Sequence, residues 1–405
     1  REIIAAGLTD DEFIRNATTG YEEFVAFVEP WTLEHTAEVT GVPAEAIRDL
    51  AHGYATAPTA QICWTLGITE HHTGVDNVQS LCNLALLTGN LGKEGTGINP
   101  MRGQNNIQGA GDCGAVPANY PGFQPIVNPE FQEKFKEAYQ QPDLDLGNSM
   151  TKVTALNMCG QKENGIHAMI IDGENTLVTD PDKNHCEKAL KALDHLVVVD
   201  IFLTETAQMA DVVLPASAWG ETDGVQANTE RRVQRLRAAV PSHGESKPDW
   251  WIISGIAKEL GIPGFEFESA KDVFNELCSL SPIYKGLNWD NIGDGNYQWP
   301  VPEEGHPGTP ILHQEEFKDG KPGLFKIIGY RDPAEVIDDD YPVWLTTGRR
   351  LQAYHTRTQT GRASGIDYLL SEESLEVHPD DLAAWDIADG SLVKMASRRG
   401  EIELK

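Results

Sequence analysis

Two kinds of hydrophobic spacing alternate along the first hundred residues. Apolar residues recur at helical spacing over 44–54 and 75–87, and the second segment is followed by Gly89, which suits a left-handed helix cap. Thr9 and Glu12 have the spacing of a capping box, which predicts a helix start at Thr9. Short apolar runs lie between these segments, so the pattern indicates α/β units.

A strand, a helix and a strand are predicted in succession further along the chain. The run 165–171 is apolar, 182–193 has helical spacing, and 195–199 is rich in β-branched residues. A crossover of this length predicts a right-handed βαβ unit with parallel strands, followed by a third strand over 211–214. Ligands bind at the carboxyl ends of strands in open α/β sheets. One candidate site therefore comprises the polar residues at these ends: Asp172, Glu174, Asn175, Asp200 and Thr204.

The last part of the chain changes to a strand pattern. A helix is predicted over 250–260, and strands are predicted over 343–347, 392–397 and 401–404. The dipeptides Asp389-Gly390 and Arg399-Gly400 are typical turns. We interpret this region as an incomplete β-barrel.

Charge and cysteine content narrow the function classes. The chain has 62 acidic and 32 basic residues and a net charge of −30, which repels nucleic acids and anionic lipid surfaces. An anionic ligand must therefore be held by a local cluster of donors.

The six cysteines are scattered and form no CxxC motif, so they encode neither a zinc ribbon nor an iron–sulfur loop. No apolar run reaches the ~18–20 residues of a membrane span.

The two ends of the sequence predict an internal piece of a longer polypeptide. The chain opens with Arg1 rather than Met and stops at Lys405 directly after a strand pattern. Reduced thiols favour the cytoplasm as its compartment. Periplasmic export stays open as an alternative, because a signal peptide would precede the true N-terminus.

The segment 99–122 is predicted to be a long loop. Its first part, 99–112, carries one cation, Arg102, together with five side-chain amides and three glycines. Long loops without regular structure are usually functional, although a surface linker is the alternative. The density of amide donors and acceptors favours a ligand-binding role, since a linker has no need of it.

Other segments carry candidate binding chemistry. Asp200, at a strand end, can accept both the N1–H and the amino group of guanine, although a cap on the following turn is an equally good interpretation.

The segment 346–362 concentrates four arginines and five threonines in an acidic protein, which favours an anion site over a salt-bridged loop. Glu70, His71 and His72 follow a strand expected to end at Gly67. Adjacent strand residues point to opposite faces, so the histidines are expected to donate to a ligand or to cap the strand rather than share one metal ion.

One segment resembles a known signature. Asn99-Pro-Met-Arg-Gly-Gln-Asn-Asn-Ile-Gln-Gly-Ala-Gly-Asp-Cys-Gly-Ala115 closely resembles the signature loop of molybdenum- or tungsten-dependent formate dehydrogenases. Shorter matches follow the same order along nearly the whole chain: Gly67-Ile-Thr-Glu-His, Asn90-Leu-Gly-Lys-Glu-Gly, Asp200-Ile-Phe-Leu-Thr-Glu-Thr-Ala, Ala210-Asp-Val-Val-Leu-Pro, Trp219-Gly-Glu and Thr347-Gly-Arg.

The resemblance implies a fold and a domain order. The fold would be the multi-domain α/β fold of molybdopterin oxidoreductases, with parallel-sheet domains and an incomplete C-terminal β-barrel. Residues 1–104 would be a partial α/β cofactor-binding domain, and 105–243 a second one. Residues 244–310 would connect the domains and pack on an N-terminal domain outside this chain, and 311–405 would begin the molybdopterin-dinucleotide-binding barrel.

The resemblance also implies a cofactor and its contacts. The cofactor would be bis(molybdopterin guanine dinucleotide) with Mo or W, bound between two α/β domains. Arg102 matches the active-site arginine that orients formate. The cofactor contacts implied by the resemblance, together with those predicted from the strand ends, are Glu70, His71, Gly103, Gln104, Asp172, Gly173, Glu174, Asn175, Asp200, Thr204, Arg349, Tyr354, His355 and Gly361.

Parts of the family's machinery lie outside these residues by the same resemblance. The Cys or selenocysteine metal ligand and the cysteines of a [4Fe–4S] cluster would belong to the remainder of the same catalytic subunit, so this chain alone is expected to be inactive. The implied partners are formate or CO2 and an iron–sulfur electron-transfer or diaphorase subunit. A second hypothesis is a cofactor-free homologue that scaffolds an electron-transfer complex. Retention of Arg102, Asp200, Thr204 and the Arg349–Arg362 cluster favours the enzyme, and metal analysis of the full-length protein distinguishes the two.

Overall fold

The computed structural model describes residues 1–147, 149–293, 295, 297–370 and 373–405. The helices in these residues are α1 (Glu2–Ala5), α2 (Asp11–Ala17), α3 (Tyr21–Val28), α4 (Leu33–Thr40), α5 (Ala44–Thr56), α6 (Leu66–Thr69), α7 (Gly74–Thr88), α8 (Ile107–Asp112), α9 (Pro129–Ala138), α10 (Lys152–Met158), α11 (Thr176–Thr179), α12 (Lys183–Lys191), α13 (Asp249–Glu259), α14 (Ala270–Leu280), α15 (Ser364–Asp367) and α16 (Pro379–Ala384). The strands are β1 (Thr18–Thr19), β2 (Gln61–Trp64), β3 (Gly97–Pro100), β4 (Asn119–Tyr120), β5 (Gln124–Pro125), β6 (Ala168–Asp172), β7 (His195–Asp200), β8 (Val212–Pro215), β9 (Gly224–Ala227), β10 (Arg232–Leu236), β11 (Tyr297–Gln298), β12 (Gly323–Leu324), β13 (Val393–Ser397) and β14 (Gly400–Leu404).

These elements form two compact units that interleave along the chain. Unit 1 comprises Arg1–Met150, Ala218–Ser242 and Trp250–Ala334. Unit 2 comprises Thr151–Ser217, His243–Asp249 and Glu335–Lys405. The domain boundaries given by the sequence stay a prediction.

In unit 1, strands β2 and β3 pair in parallel, with α7 between them in the chain. The two predicted helices in this region are confirmed as α5 and α7. Gly89 caps α7 with a φ of 61°, and its N–H donates to the carbonyl of Ala85. Leu86 and Leu87 on α7 are buried in a hydrophobic cluster with Phe325. The same cluster contains residues of α1, α2 and α3, so it packs α7 against these helices, since burial of apolar surface is the main stabilising contribution to folding.

The helix start predicted at Thr9 is wrong by one residue. The N-cap of α2 is Asp10, whose carboxylate accepts from the N–H of Phe13 at 3.0 Å. Thr9 instead donates to Asp11 at 2.7 Å. Aspartate caps a helix as well as threonine does, so spacing alone could not separate the two candidates.

The predicted loop over 99–122 is wrong in part, because it contains helix α8 and the short strand β4. Glycine-rich sequence carries little helical pattern, and α8 forms where it packs against β9. The strand expected to end at Gly67 also ends earlier, at Trp64, and α6 follows it. His71 and His72 therefore lie in a turn rather than a strand.

Unit 2 contains the predicted βαβ unit. Strands β6, β7 and β8 form a parallel sheet in that order, with Asp172 opposite Val199 and Asp200 opposite Pro215. Helix α12 connects β6 to β7, and Asp182 caps it by accepting from the N–H of His185 at 3.1 Å. The core under the sheet buries Leu190 and Val198. The predicted parallel pairing is confirmed, and it brings the ends of β6 and β7 to one edge.

The C-terminal residues of unit 2 form an antiparallel hairpin of β13 and β14. Both of these strands were predicted. The strand predicted over 343–347 is wrong: Val343, Trp344 and Leu345 are about three-fifths exposed and follow an irregular path. A strand needs a partner to accept its ladder of hydrogen bonds, and the described residues supply none and close no barrel. None of the helices in the described ranges combines the length and apolar character needed to cross a membrane.

Candidate functional site

Two neighbouring strand ends in unit 1 carry the polar residues singled out by the sequence. Because β2 and β3 are parallel, the segments after Trp64 and Pro100 leave the sheet at the same edge. Glu70 and His71 follow β2, and Arg102, Gly103 and Gln104 follow β3. Both predicted groups therefore follow strands that end at the same edge of the sheet, with α6 between β2 and the first group.

The segment after β2 is exposed. Glu70 is the C-cap of α6, and its N–H donates to the carbonyl of Leu66 at 2.8 Å. The Nε2 of His71 lies 2.9 Å from the carbonyl oxygen of Gly67, so this ring nitrogen carries the proton and donates. Within the described residues no group of three or more His, Cys, Asp or Glu side chains is arranged to hold a metal ion.

Arg102 is held at two points. Its backbone N–H donates to the hydroxyl of Thr229 at 3.2 Å, and its Nη2 lies 3.4 Å from the Oε1 of Gln108. The side chain is otherwise exposed. A guanidinium has five N–H donors, so most of them remain for a ligand. A Cβ built on the neighbouring Gly103 meets nothing within 4 Å, so that backbone stands beside open space.

Side-chain amides dock this segment on strand β9. The Nδ2 of Asn105 donates to the Oε1 of Gln226 at 2.9 Å, and the Oδ1 of Asn106 accepts from the N–H of Ala227 at 3.0 Å. Helix α8 begins directly after Asn106. These contacts disagree with the linker alternative and explain part of the amide density.

A buried acid lies behind Gln108. The Nε2 of Gln108 donates to the Oδ1 of Asp112 at 2.8 Å, and the hydroxyl of Tyr284 donates to its Oδ2 at 2.7 Å. Asp112 is fully buried, and burial raises the pKa of its carboxyl. Burial and the adjacent Asp112 raise the pKa of Tyr284 far above its usual value. Tyr284 was not predicted as a site residue, because it is 172 residues from Asp112 in the chain and has no local signal.

In unit 2, three carboxyl groups lie near the carboxyl edge of the parallel sheet. Asp172 ends β6 and Asp200 ends β7. Although Asp172 is exposed as a residue, partial burial of its carboxyl and the neighbouring Asp249 and Asp200 raise its pKa to about 6. Gly173 follows with a φ of 68° and open space where a Cβ would stand. Asp249, which sequence analysis missed, reaches this edge because the isolated bridge between Ala216 and Lys247 brings its segment beside β8.

The other polar residues after β7 are held by local contacts. The Oδ1 of Asp200 accepts from the N–H of Phe202 at 3.2 Å, whereas within the described residues its Oδ2 has no hydrogen-bond partner. Thr204 is fully buried, and its hydroxyl accepts from the N–H of Ala207 at 3.2 Å. The Oδ1 of Asp200 therefore makes the contact expected of a cap on the following turn. Its Oδ2 is the acceptor that guanine binding requires.

Glu174 and Asn175 make mainly protein contacts. Glu174 and Asp180 both form ion pairs with Lys152. Asn175 is buried, and its Nδ2 donates to Glu205 at 2.8 Å and to Thr358 at 3.1 Å. Its Oδ1 accepts from the hydroxyl of Thr206 at 2.9 Å. Asn175 thus joins the end of β6 to the arginine-rich segment 346–362.

The arginine-rich segment has features of both a salt-bridged loop and an anion site. Arg350, Arg357 and Arg362 pair with Glu376, Asp367 and Glu205 respectively. Arg349 is exposed and has no ion-pair partner in the described part of the chain. The neighbouring predicted residues are held locally. The ring centroids of Tyr354 and His355 are 4.8 Å apart, and the N–H of Gly361 donates to the carbonyl of Arg357 at 2.8 Å.

Comparisons with known proteins add family relations. Residues 3–259 match the family model "Molybdopterin oxidoreductase", and residues 343–405 match "Molydopterin dinucleotide binding domain". The chain is 44% identical over 402 residues to F420-dependent formate dehydrogenase 2 subunit alpha of Methanococcus maripaludis, covering 99% of this chain and 59% of that protein. It is 45% identical to F420-dependent formate dehydrogenase subunit alpha of Methanocaldococcus jannaschii, covering 100% and 59% respectively. It is 37% identical to formate dehydrogenase H of Escherichia coli, covering 99% and 56%.

A solved structure shares the fold. Acetylene hydratase from Pelobacter acetylenicus superimposes with a TM-score of 0.71 at 20% identity, over 100% of this chain and 59% of that one. The chain thus spans less than three-fifths of the length of these curated relatives and of this structure.

Proposed function

The chain belongs to the molybdopterin oxidoreductase family, and from that premise we propose that it forms the larger part of the catalytic subunit of a formate dehydrogenase. The reaction would be the two-electron interconversion of formate and CO2. The observation that carries this proposal is Arg102, an exposed guanidinium anchored at a sheet edge in a chain whose net charge is −30. The relatives named above support the same assignment.

Arg102 would bind and orient the substrate anion. Formate has two equivalent oxygens, and a planar guanidinium can donate to both at once. Arg102 is the only cation between Lys93 and Lys134 in the sequence, so no residue nearby in the chain duplicates its charge. Orientation of the carboxylate lowers the entropic part of the barrier.

Mo or W in bis(molybdopterin guanine dinucleotide) would, when bound, take up the two electrons. The residues of each unit suit such a group. In unit 1 the open space at Gly103 lets a ligand approach the backbone, with Gln104 beside it. In unit 2 the Oδ2 of Asp200 can accept from guanine, and the exposed Arg349 can donate to a pyrophosphate. Asp172, Gly173, Tyr354, His355 and Gly361 complete the proposed contacts of unit 2.

The proposal extends to parts of the enzyme beyond these residues. We place the Cys or selenocysteine ligand and a [4Fe–4S] cluster in the remainder of the catalytic subunit, and an iron–sulfur or diaphorase subunit as the electron acceptor. The subunit designation of the archaeal relatives supports a multi-subunit assembly. The cytoplasm is the proposed compartment.

Metal analysis of the full-length protein tests the proposal. We expect stoichiometric Mo or W, two guanine nucleotides per metal, and formate oxidation with an artificial acceptor. A folded protein without metal and guanine would support the scaffold hypothesis instead. A metal-loaded protein that does not oxidise formate would refute the proposed substrate.

A further inference from the structure

A chain of side chains connects the exposed Arg102 to the interior of unit 1. Tyr284 donates to Asp112 at 2.7 Å, Gln108 donates to the other oxygen of Asp112 at 2.8 Å, and Arg102 approaches Gln108 at 3.4 Å. Tyr284 and Asp112 are almost fully buried, Gln108 is half-buried and Arg102 is exposed. The chain therefore runs from a fixed interior group to a solvent-facing cation.

The direction of each hydrogen bond follows from the chemistry of the two ends. Arg102 can only donate, so the group facing it must be the carbonyl oxygen of the Gln108 amide. The NH2 of Gln108 then faces Asp112, which accepts on one oxygen from Gln108 and on the other from Tyr284. An ionised carboxylate accepts at both oxygens, so one orientation of the Gln108 amide satisfies both of its neighbours, Arg102 and Asp112. The reverse orientation would place two donors face to face at Arg102.

Arg102 needs such a restraint because its side chain is long and largely exposed. An arginine loses rotamer entropy when it is fixed in one orientation. A neighbour that is itself fixed reduces the number of orientations available to the guanidinium before a ligand arrives. Tyr284 is suited to fix this neighbour because it is packed in the hydrophobic cluster with Phe274 and Ile292.

We infer that Tyr284, Asp112 and Gln108 are positioning residues that orient the Arg102 guanidinium toward the substrate anion. The inference rests on the proposed role of Arg102 and adds the residues through which the fold sets its direction. Tyr284 is the most informative of the three, because it contacts Asp112 rather than Arg102 and lies 172 residues from Asp112 in the sequence.

The test uses the metal-loaded full-length enzyme with Tyr284→Phe and with Tyr139→Phe as a matched control. Tyr139 belongs to a different hydrophobic cluster of the same unit. Two readouts are the KM for formate and the dissociation constant of nitrate, an unreactive planar anion, by calorimetry. Tyr284→Phe is expected to raise both three- to tenfold while kcat changes less than twofold. The control is expected to leave both unchanged, with metal content equal in all variants.

A double-mutant cycle separates positioning from general destabilisation. If Tyr284 acts through Arg102, Tyr284→Phe has no further effect on nitrate affinity in an Arg102→Ala background. Gln108→Leu leaves the Tyr284–Asp112 contact in place and is expected to weaken nitrate binding at least as much as Tyr284→Phe. If Tyr284→Phe fails to fold, Gln108→Leu tests the positioning role in its place.

The outcomes distinguish this inference from the proposed function. Equal nitrate and formate affinity in the wild type and Arg102→Ala would overturn both. A clear effect of Arg102→Ala together with wild-type affinity in Tyr284→Phe and Gln108→Leu would overturn the positioning chain alone. An equal loss of nitrate affinity from Tyr284→Phe in the wild-type and Arg102→Ala backgrounds would also overturn the positioning chain.

Discussion

The Arg102 guanidinium combines charge with a planar pair of donors, and substitutions separate the two. Arg102→Lys keeps the charge and loses the fork, whereas Arg102→Ala loses both. We expect formate turnover to fall in the order wild type, Lys, Ala. Loss of a charge-assisted contact costs about 1.5–3 kcal/mol, roughly a ten- to hundredfold loss of affinity, and Lys should affect KM more than kcat.

Steady-state formate oxidation by the full-length enzyme measures this order. Both variants should retain metal and guanine, because the proposed pterin contacts lie on other residues. Wild-type kinetics in Arg102→Ala would contradict the substrate-binding role. Arg102 would then be a structural residue of the segment docked on β9.

Asp172 predicts a pH-dependent stability. Partial burial and the neighbouring carboxylates Asp249 and Asp200 raise its pKa from 3.8 to about 6. Between these two values the folded state binds more protons than the unfolded state, so this residue's contribution to stability falls as pH rises through the window. Asparagine has no ionisable carboxyl, so Asp172→Asn abolishes this pH-dependent loss of stability. The variant should therefore be more stable than the wild type above pH 6, and the difference should disappear near pH 4.

Thermal unfolding of the cofactor-free full-length protein at several pH values measures the difference. Asp389→Asn is the control, because Asp389 lies in the same unit, is exposed and has no side-chain hydrogen bond or ion pair within the described residues. An advantage of Asp172→Asn that is the same at pH 4 and pH 7 would contradict the assignment.

Helix α8 shows how an element of weak intrinsic helix propensity is fixed by its contact. A Cβ at Gly109 would lie 2.1 Å from the Oδ1 of Asn106 and 2.9 Å from the backbone nitrogen of Ala227. Gly109→Ala should therefore break the contact between Asn106 and β9 and cost about 1–3 kcal/mol. The matched substitution Gly111→Ala meets only Phe123, at 3.9 Å, and should be neutral or stabilising by about 0.5–1 kcal/mol.

Urea unfolding of the two variants tests this pair. Equal stability of Gly109→Ala and Gly111→Ala would mean that docking on β9 does not hold α8 in place. The same element was predicted as a loop, because two of its six residues are glycines, which obscure a helical pattern. By contrast α5 and α7, which carry regular apolar spacing, were predicted closely.

At the scale of the whole molecule, cofactor retention tests the two interpretations of Asp200. Asp200→Asn keeps an oxygen for the N–H of Phe202 but replaces the second acceptor with a donor. If Asp200 binds guanine, both Asn and Ala should lower cofactor occupancy tenfold or more, corresponding to about 1.5–3 kcal/mol. If it only caps the turn, Asn should retain the cofactor.

Metal and guanine content per mole of folded full-length protein is the measurement. Asp194→Ala serves as the control at the amino end of β7. Full cofactor content in Asp200→Asn would assign Asp200 to the turn and leave guanine recognition to other residues.

The candidate site was only partly predictable from the sequence. Strand ends and the arginine-rich segment were visible because each depends on residues close together in the chain. Their partners could not be predicted, because Glu205 pairs with Arg362 across 157 residues and Tyr284 donates to Asp112 across 172. Arg350, Arg357 and Arg362 pair with carboxylates, whereas Arg349 has no ion-pair partner among the described residues, a difference that composition alone could not show.

The sequence by itself determined the local elements and the family resemblance. Apolar spacing, β-branched runs and the cap at Gly89 are short-range properties, so the βαβ unit and helices α5 and α7 could be predicted from neighbouring residues. The tertiary structure alone decided that α8 forms, that 343–347 does not form a strand, and that Tyr284 lies behind Arg102 through Asp112 and Gln108. These outcomes depend on burial and on contacts between residues far apart in the chain, whose geometry no local pattern specifies.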